Sequence, residues 1–298
     1  MRTFCCSLAL VAAGCAGHPS LAPADGGPGS HAITDDGHGT YTIALAPFVV
    51  APGEERYACQ DFANPFGGAS AAIHGFASHL TPGSHHLLLF YKASAADAPL
   101  ADCSGSEFAA GPYGSQRPDD SLVYPDGVAA VVAPSDGFRV QAHYLNATGA
   151  PLDVRVTITL SRIDDAAVRD RAAVLFFSNS AIDVPPGQSG VVAQKSCTLP
   201  FAVNLVQATG HMHTHGRAFI ATAAGQTLFS STVYSDVTPA LFDPPLALPA
   251  GTAVTFGCTY DNSDGTTPLV FGDSALTDEM CIFSAQFYPA PFGGWTCL

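Results

Sequence analysis

Charge is scarce in this chain, and basic charge is scarcest. Only 12% of the 298 residues are charged, with 11 Lys and Arg against 25 Asp and Glu, for a formal net charge of -14. Such a surface repels phosphate backbones, which excludes nucleic acid as a partner and suits a small cation. Long apolar runs are also missing. The N-terminal stretch Leu8 to Ala13 is too short to span a bilayer. No helical periodicity is sustained anywhere. No cysteines stand at CxxC spacing, which argues against a thiolate zinc site. Methionine occurs only at Met1, Met212 and Met280, so each is informative.

What is present begins with an export signal. Residues 1–15, MRTFCCSLALVAAGC, join a basic start at Arg2 to a short apolar segment. The closing Ala12-Ala13-Gly14-Cys15 resembles the lipobox of bacterial lipoproteins, in which the cysteine is acylated after cleavage. The alternatives are a lipid anchor at Cys15, which tethers without crossing, and plain secretion. Either makes this an exported protein, a cell-envelope lipoprotein or a periplasmic or secreted one. Residues 16–40 lack apolar periodicity and read as a flexible tether, with His18, His31 and His38 as solvated side chains. Cys5 and Cys6 leave with the signal. The remaining Cys59, Cys103, Cys197, Cys258, Cys281 and Cys297 are even in number and fit three disulfides in an oxidising compartment, with the pairing open.

Hydrophobic residues at 47% supply packed cores, and the length suits two domains. Runs such as SHHLLLFYK, GFRVQAHYL, FAVNLVQATG and CIFSAQFYP are β-branched and aromatic, and turn residues separate them. Val154, Val156, Ile158 and Leu160 alternate with polar residues, the period of a half-buried strand. The pattern breaks at IDDAAVRDR. The expected fold is all-β: two tandem jelly-roll-like antiparallel β-sandwich domains, residues 41–163 and 164–298.

Six of the histidines fall in three tight groups: His85-His86, His143, and His211, His213 and His215. Histidine is the commonest neutral metal ligand. His211 and His213 stand two apart, so on a strand they share a face. His85 and His86 are adjacent. Both reach one ion only if the backbone bulges or ends there, or if the rings use different nitrogens. Pro82 and Gly83 supply a place for such an irregularity. Met212 alternates with its flanking histidines and faces away. Met280 offers a thioether, a poor zinc ligand that stabilises Cu(I), although taken alone it reads first as core filler.

These groups, in this order, resemble the type II copper monooxygenases, the family that includes peptidylglycine α-hydroxylating monooxygenase and dopamine β-monooxygenase. The likeness runs through PGEERYACQ, SHHLLLF, VQAHY, VPPG, HMHTHGR, FGCTY and DEMC, and the HMH-x-x-G-R form is similar to bacterial members. The resemblance implies two coppers per chain. His85, His86 and His143 match the electron-transfer site, with Gln141 nearby. His211, His213 and Met280 match the oxygen-binding site and are the catalytic candidates. It also implies disulfides Cys59–Cys103, Cys258–Cys281 and Cys197–Cys297. The implied reaction is hydroxylation of a substrate C–H bond by dioxygen, with an ascorbate-type reductant.

His215, His74 and His79 match no family ligand and read as structural. Thr209, Ile282 and Ser284 stand where the peptide-hydroxylating enzymes grip a carboxylate, so the expected small-molecule substrate is neutral or apolar. The expected form is a monomer. A second reading is an exported copper-binding protein without turnover. A third, a zinc hydrolase, wastes Met280 and lacks a base, since Asp278 and Glu279 read as acidic residues of a surface turn. Asn146-Ala-Thr148 fits a glycosylation sequon, discounted because the export signal looks bacterial.

Overall fold

The computed structural model describes residues 32–105, 111–291 and 293–298. The export signal, Cys15 and most of the tether lie outside them. Among the described residues there is no α-helix, only a 3-10 turn at Asp165–Ala167. None of their helices is long and apolar enough to cross a membrane.

The chain forms two sandwiches, as the alternation predicts. In the first, a seven-stranded sheet runs in the order Ala32–Asp35, Thr40–Ala44, Val156–Ile163, Ala71–Leu80, Val128–Val132 and Asp170–Arg171, with Asp119–Val123 also against Ala71–Leu80. It faces a five-stranded sheet ordered Ala101–Asp102, Glu55–Phe62, Asp136–Leu145, Ser84–Ala93 and Tyr113–Ser115. Apart from the opening pair Ala32–Asp35 and Thr40–Ala44, strands consecutive in sequence do not pair in these two sheets, as in jelly rolls. Val154, Val156, Ile158 and Leu160 are all inside, packed with Leu87, Leu89 and Val140 from the opposite sheet.

The second sandwich sets a five-stranded sheet (Ala240–Leu248, Val203–His211, Ile282–Tyr288, Ala173–Ser178, Trp295–Cys297) against a four-stranded one (Gln188–Thr198, Ala253–Asn262, Gly216–Ala223, Gln226–Ser231). Phe177, Phe219, Phe256 and Phe283 fill its core. The disulfides among the described residues are Cys59–Cys103, Cys197–Cys297 and Cys258–Cys281. They put the chain in an oxidising, exported setting.

Two boundaries need correction. Residues 32–40, assigned to the tether, form a hairpin with Thr40–Ala44. The carboxylates of Asp35 and Asp36 accept the N–H groups of Gly37, His38 and Thr40 and close that turn. The charged stretch after Ile163 stays with the first sandwich. Asp170–Arg171 pairs in parallel with Val128–Ala129, and Ala172 sits in the first core. The hand-over therefore lies between Ala172 and Leu175. Asn146 is buried, with its amide donating to the carbonyls of Val50 and Ala150, so the sequon amide is spent inside the fold.

The sandwiches meet along Val203–His211 and Ile282–Tyr288. Val206 enters the first core, and Tyr124 Oη donates to Gln286 Oε1 at 2.8 Å.

Candidate metal centre

The first set of histidines is built on paired strands. His86 lies directly opposite His143. The next pair is Tyr144 with Ser84, which leaves His85 as the extra residue of a bulge. Gly83 precedes it at φ +105°, a conformation that glycine adopts without strain. This irregularity lets two adjacent histidines reach one point. Both are buried, and both ring centroids stand 4.9 Å from that of His143.

His143 is fully buried. Tyr57, its neighbour on the strand Glu55–Phe62, stacks on it at 3.7 Å. The Nε2–H of His143 donates to Glu55 Oε1 at 2.8 Å. Nδ1 therefore keeps a lone pair, and that atom is buried without a partner. Gln141 Oε1 lies 3.4 Å from His86 Nε2, a long contact, while its Nε2 donates to the Ser104 carbonyl.

The second set is built on a strand end and a turn. Val203–His211 stops at His211, Met212 turns into the second core, and His213 returns to the side of His211. Glu279 holds this turn. Its two oxygens accept the N–H groups of His213 at 3.0 Å and His215 at 2.7 Å. The surface-turn reading of Glu279 is therefore wrong. The residue is fully buried, because two inward main-chain donors require an acceptor. Burial pushes its carboxyl up to about 7, against the downward pull of those hydrogen bonds.

His211 Nδ1–H donates to Gln116 Oε1 at 2.8 Å, and His213 Nδ1–H to the Asp278 carbonyl at 3.1 Å. These acceptors fix the tautomers and leave both Nε2 atoms as lone pairs, buried and without partners. Met280 is buried. Its carbonyl accepts from Tyr260 Oη, and the disulfide at Cys281 holds the next residue. His215 sits beside Glu279 with Nδ1 3.4 Å from Oε1. His74 Nδ1 is 3.1 Å from the Val128 carbonyl, and His79 forms an exposed pair with Asp119.

The two sets, expected as separate sites, form one cluster at the junction. The ring centroids of His85 and His211 are 4.7 Å apart, those of His86 and His211 5.2 Å, and those of His85 and His213 5.3 Å. Nitrogens of His85, His86 and His211 all lie within 4.8 Å of one another. Burial holds His85, His143 and His211 well below the usual histidine range, lowers His213, and brings His86 to about 4. All five are thus neutral at neutral pH, the ligating form.

No protein-family model matches the chain, and no curated protein matches it in sequence. Solved structures give low-scoring likenesses. The major capsid protein P2 of bacteriophage PM2 is 7% identical, covers 85% of this chain and 99% of its own, and has a TM-score of 0.31. PNGase F, a glycosylasparaginase from Flavobacterium meningosepticum, is 12% identical over 87% of this chain and 98% of its own, at 0.34. The STIV MCP is 8% identical over 85% and 97%, at 0.35. None of these three is a copper monooxygenase.

Glu55, Tyr57, Gln116 and Glu279 contact the cluster's histidines; the first three were not among the sequence candidates, and Glu279 was weighed only as a base and set aside. Glu55 and Tyr57 carried a signal, because they alternate within PGEERYACQ on a strand that pairs beside His143. Glu279 stands in DEMC beside the candidate ligand Met280, and Gln116 carried no signal beyond ordinary polar composition.

Proposed function

We propose that this chain is an exported copper-dependent monooxygenase of the type II, ascorbate-using kind, hydroxylating a C–H bond of a neutral small molecule. The observation that carries the reading is four buried imidazole nitrogens without partners, on His85, His143, His211 and His213, converging at one junction. Unpartnered buried polar atoms are costly, and bound metal would satisfy them. The donor chemistry fits copper: neutral imidazoles suit both oxidation states, and the Met280 thioether favours the reduced one. His85, His86 and His143 would hold one ion, and His211, His213 and Met280 the other. Bound copper supplies one-electron redox chemistry and activation of dioxygen, with ascorbate as the electron source.

The chain's own residues do the rest. Glu55, Gln116 and the Asp278 carbonyl each take the N–H of one histidine and turn its lone pair inward. Tyr57 covers His143 and excludes water from it. Thr209 and Ser284 stand opposite each other on neighbouring strands, with Ile282 opposite His211. No guanidinium stands at these three positions to grip a carboxylate, and this supports a neutral substrate. The protein works as a monomer, lipid-anchored at Cys15 or secreted.

The test is to load the mature protein with copper, count ions after dialysis, and follow oxygen uptake with ascorbate across neutral substrates. Two coppers, reduced by ascorbate, with substrate-dependent uptake and a hydroxylated product, are expected. The deep burial of the cluster favours a second reading, copper holding without turnover. Stoichiometric copper with no product from any substrate would decide for it.

A further inference from the structure

The ligand sets assigned one to each sandwich are not set apart in space: by ring centroids His85 and His86 each stand 4.9 Å from His143, and 4.7 and 5.2 Å from His211. The nearest imidazole to His85 is His211, across the junction, at 4.7 Å, against 4.9 Å to His143 and 5.4 Å to its own neighbour His86. Among the described residues, the His, Cys, Asp and Glu side chains that bring three ligand atoms within 4.8 Å of one another are His85, His86 and His211. Two come from the first sandwich and one from the second.

A second observation shows that this grouping is built. Gln116 belongs to the first sandwich, yet it positions the ligand of the second. Its Oε1 accepts His211 Nδ1–H at 2.8 Å, and its Nε2 donates to the Gly210 carbonyl at 2.9 Å and to Thr209 Oγ1 at 3.2 Å. Gln116 is itself buried. The first sandwich thus orients His211, and the free Nε2 stays buried without a protein partner. His143 and His213 are held differently, by Glu55 and by the Asp278 carbonyl.

We propose that His85, His86 and His211 form a three-imidazole site for one copper ion straddling the two sandwiches, with Gln116 as the residue that positions His211. The inference rests on the reading of the cluster as a metal centre, and it does not depend on turnover. Three neutral imidazoles with bonds of about 2.0–2.1 Å also suit zinc, which serves as a redox-silent probe. In this arrangement the first equivalent of metal binds across the junction and ties the sandwiches together. Occupancy of the separate sets then requires the junction to open.

The experiment titrates Cu(I) and Zn2+, against a competing chelator, into the mature wild-type protein and into His211→Ala, His143→Ala and Gln116→Leu. X-ray absorption is recorded on the wild type at half an equivalent. His211→Ala should weaken the first equivalent by more than about 100-fold, and Gln116→Leu by about 10- to 100-fold. His143→Ala should change it by less than about threefold, and absorption should count three imidazoles and no sulfur. If His143→Ala takes the loss and His211→Ala leaves the first equivalent intact, the straddling site is wrong while the copper reading stands. A wild type that holds neither metal removes both. Should His211→Ala fail to fold, Gln116→Leu and the wild-type absorption spectrum decide together. Sulfur bound to the first ion overturns the proposal, and three imidazoles together with the Gln116→Leu loss support it.

Discussion

The two halves of the cluster present the same ligand by different means. His86 and His143 are held by strand register, facing each other across a paired ladder, and a bulge brings in His85. His211 and His213 sit where a strand ends, and a single buried carboxylate, Glu279, fixes the turn between them. Register spreads the restraint over many backbone hydrogen bonds. A buried carboxylate concentrates it on one side chain. The second half should therefore fail to a single substitution, while the first should degrade gradually.

The largest expected effect is the acid response of the metal-free protein, and it can break this contrast. The unfolded chain takes up protons on its histidines near pH 6.5, whereas the folded cluster resists them. Stability is thus fully present above pH 6.5 and is lost on acidification, by about 1.4 kcal/mol per pH unit for each such imidazole. Glu279 has the opposite sign. Its carboxyl, raised to about 7, binds a proton more readily in the folded state, so it costs stability as pH rises from 4.5 toward 7. Denaturant unfolding from pH 5 to 7.5 should show stability rising with pH, and rising more steeply in Glu279→Gln. An unchanged slope in the variant would mean that Glu279 ionises normally.

Next in size is Glu279→Ala. It leaves the His213 and His215 N–H groups buried and unpaired, a loss of about 2–5 kcal/mol in unfolding free energy. Glu55→Ala sharpens the contrast from the other side. Glu55 accepts from His143 Nε2, Ser274 Oγ and the Ala275 N–H, so it joins a ligand of the first sandwich to a loop of the second. Its loss should cost about 1–3 kcal/mol, with strand register still holding His143 in place. Equal losses in the two variants would erase the distinction. The smallest effect is Asp236→Asn, which breaks a largely exposed pair with Arg117 across the junction and should change stability by less than about 1 kcal/mol.

The strands were legible because burial on one face imposes a period of two, and Val154 to Leu160 carry that period in their residue types. The ligands were legible because histidines gather in short segments. The need for an irregularity at His85-His86 was also readable, since adjacent residues on a regular strand point apart. Glu279 was misread because nothing local distinguishes a buried carboxylate from a solvated one. Its burial follows from two N–H groups more than sixty positions earlier in the chain. The hairpin at residues 32–40 was missed because its partner strand supplies the order that its own short polar sequence lacks.

Residue types and their spacing by themselves determined an all-β chain with alternating strands, an even set of cysteines for export, and a donor inventory rich in imidazole with few thioethers. These are properties of local geometry and composition, and they need no knowledge of what lies across a junction. Only the tertiary structure decided that His85 and His86 meet His211, that Gln116 sets the tautomer of a histidine in the other sandwich, and that Glu279 lies inside. Each of these depends on how two sheets dock. Docking sums many weak contacts between residues far apart in the chain, and no short segment encodes that sum.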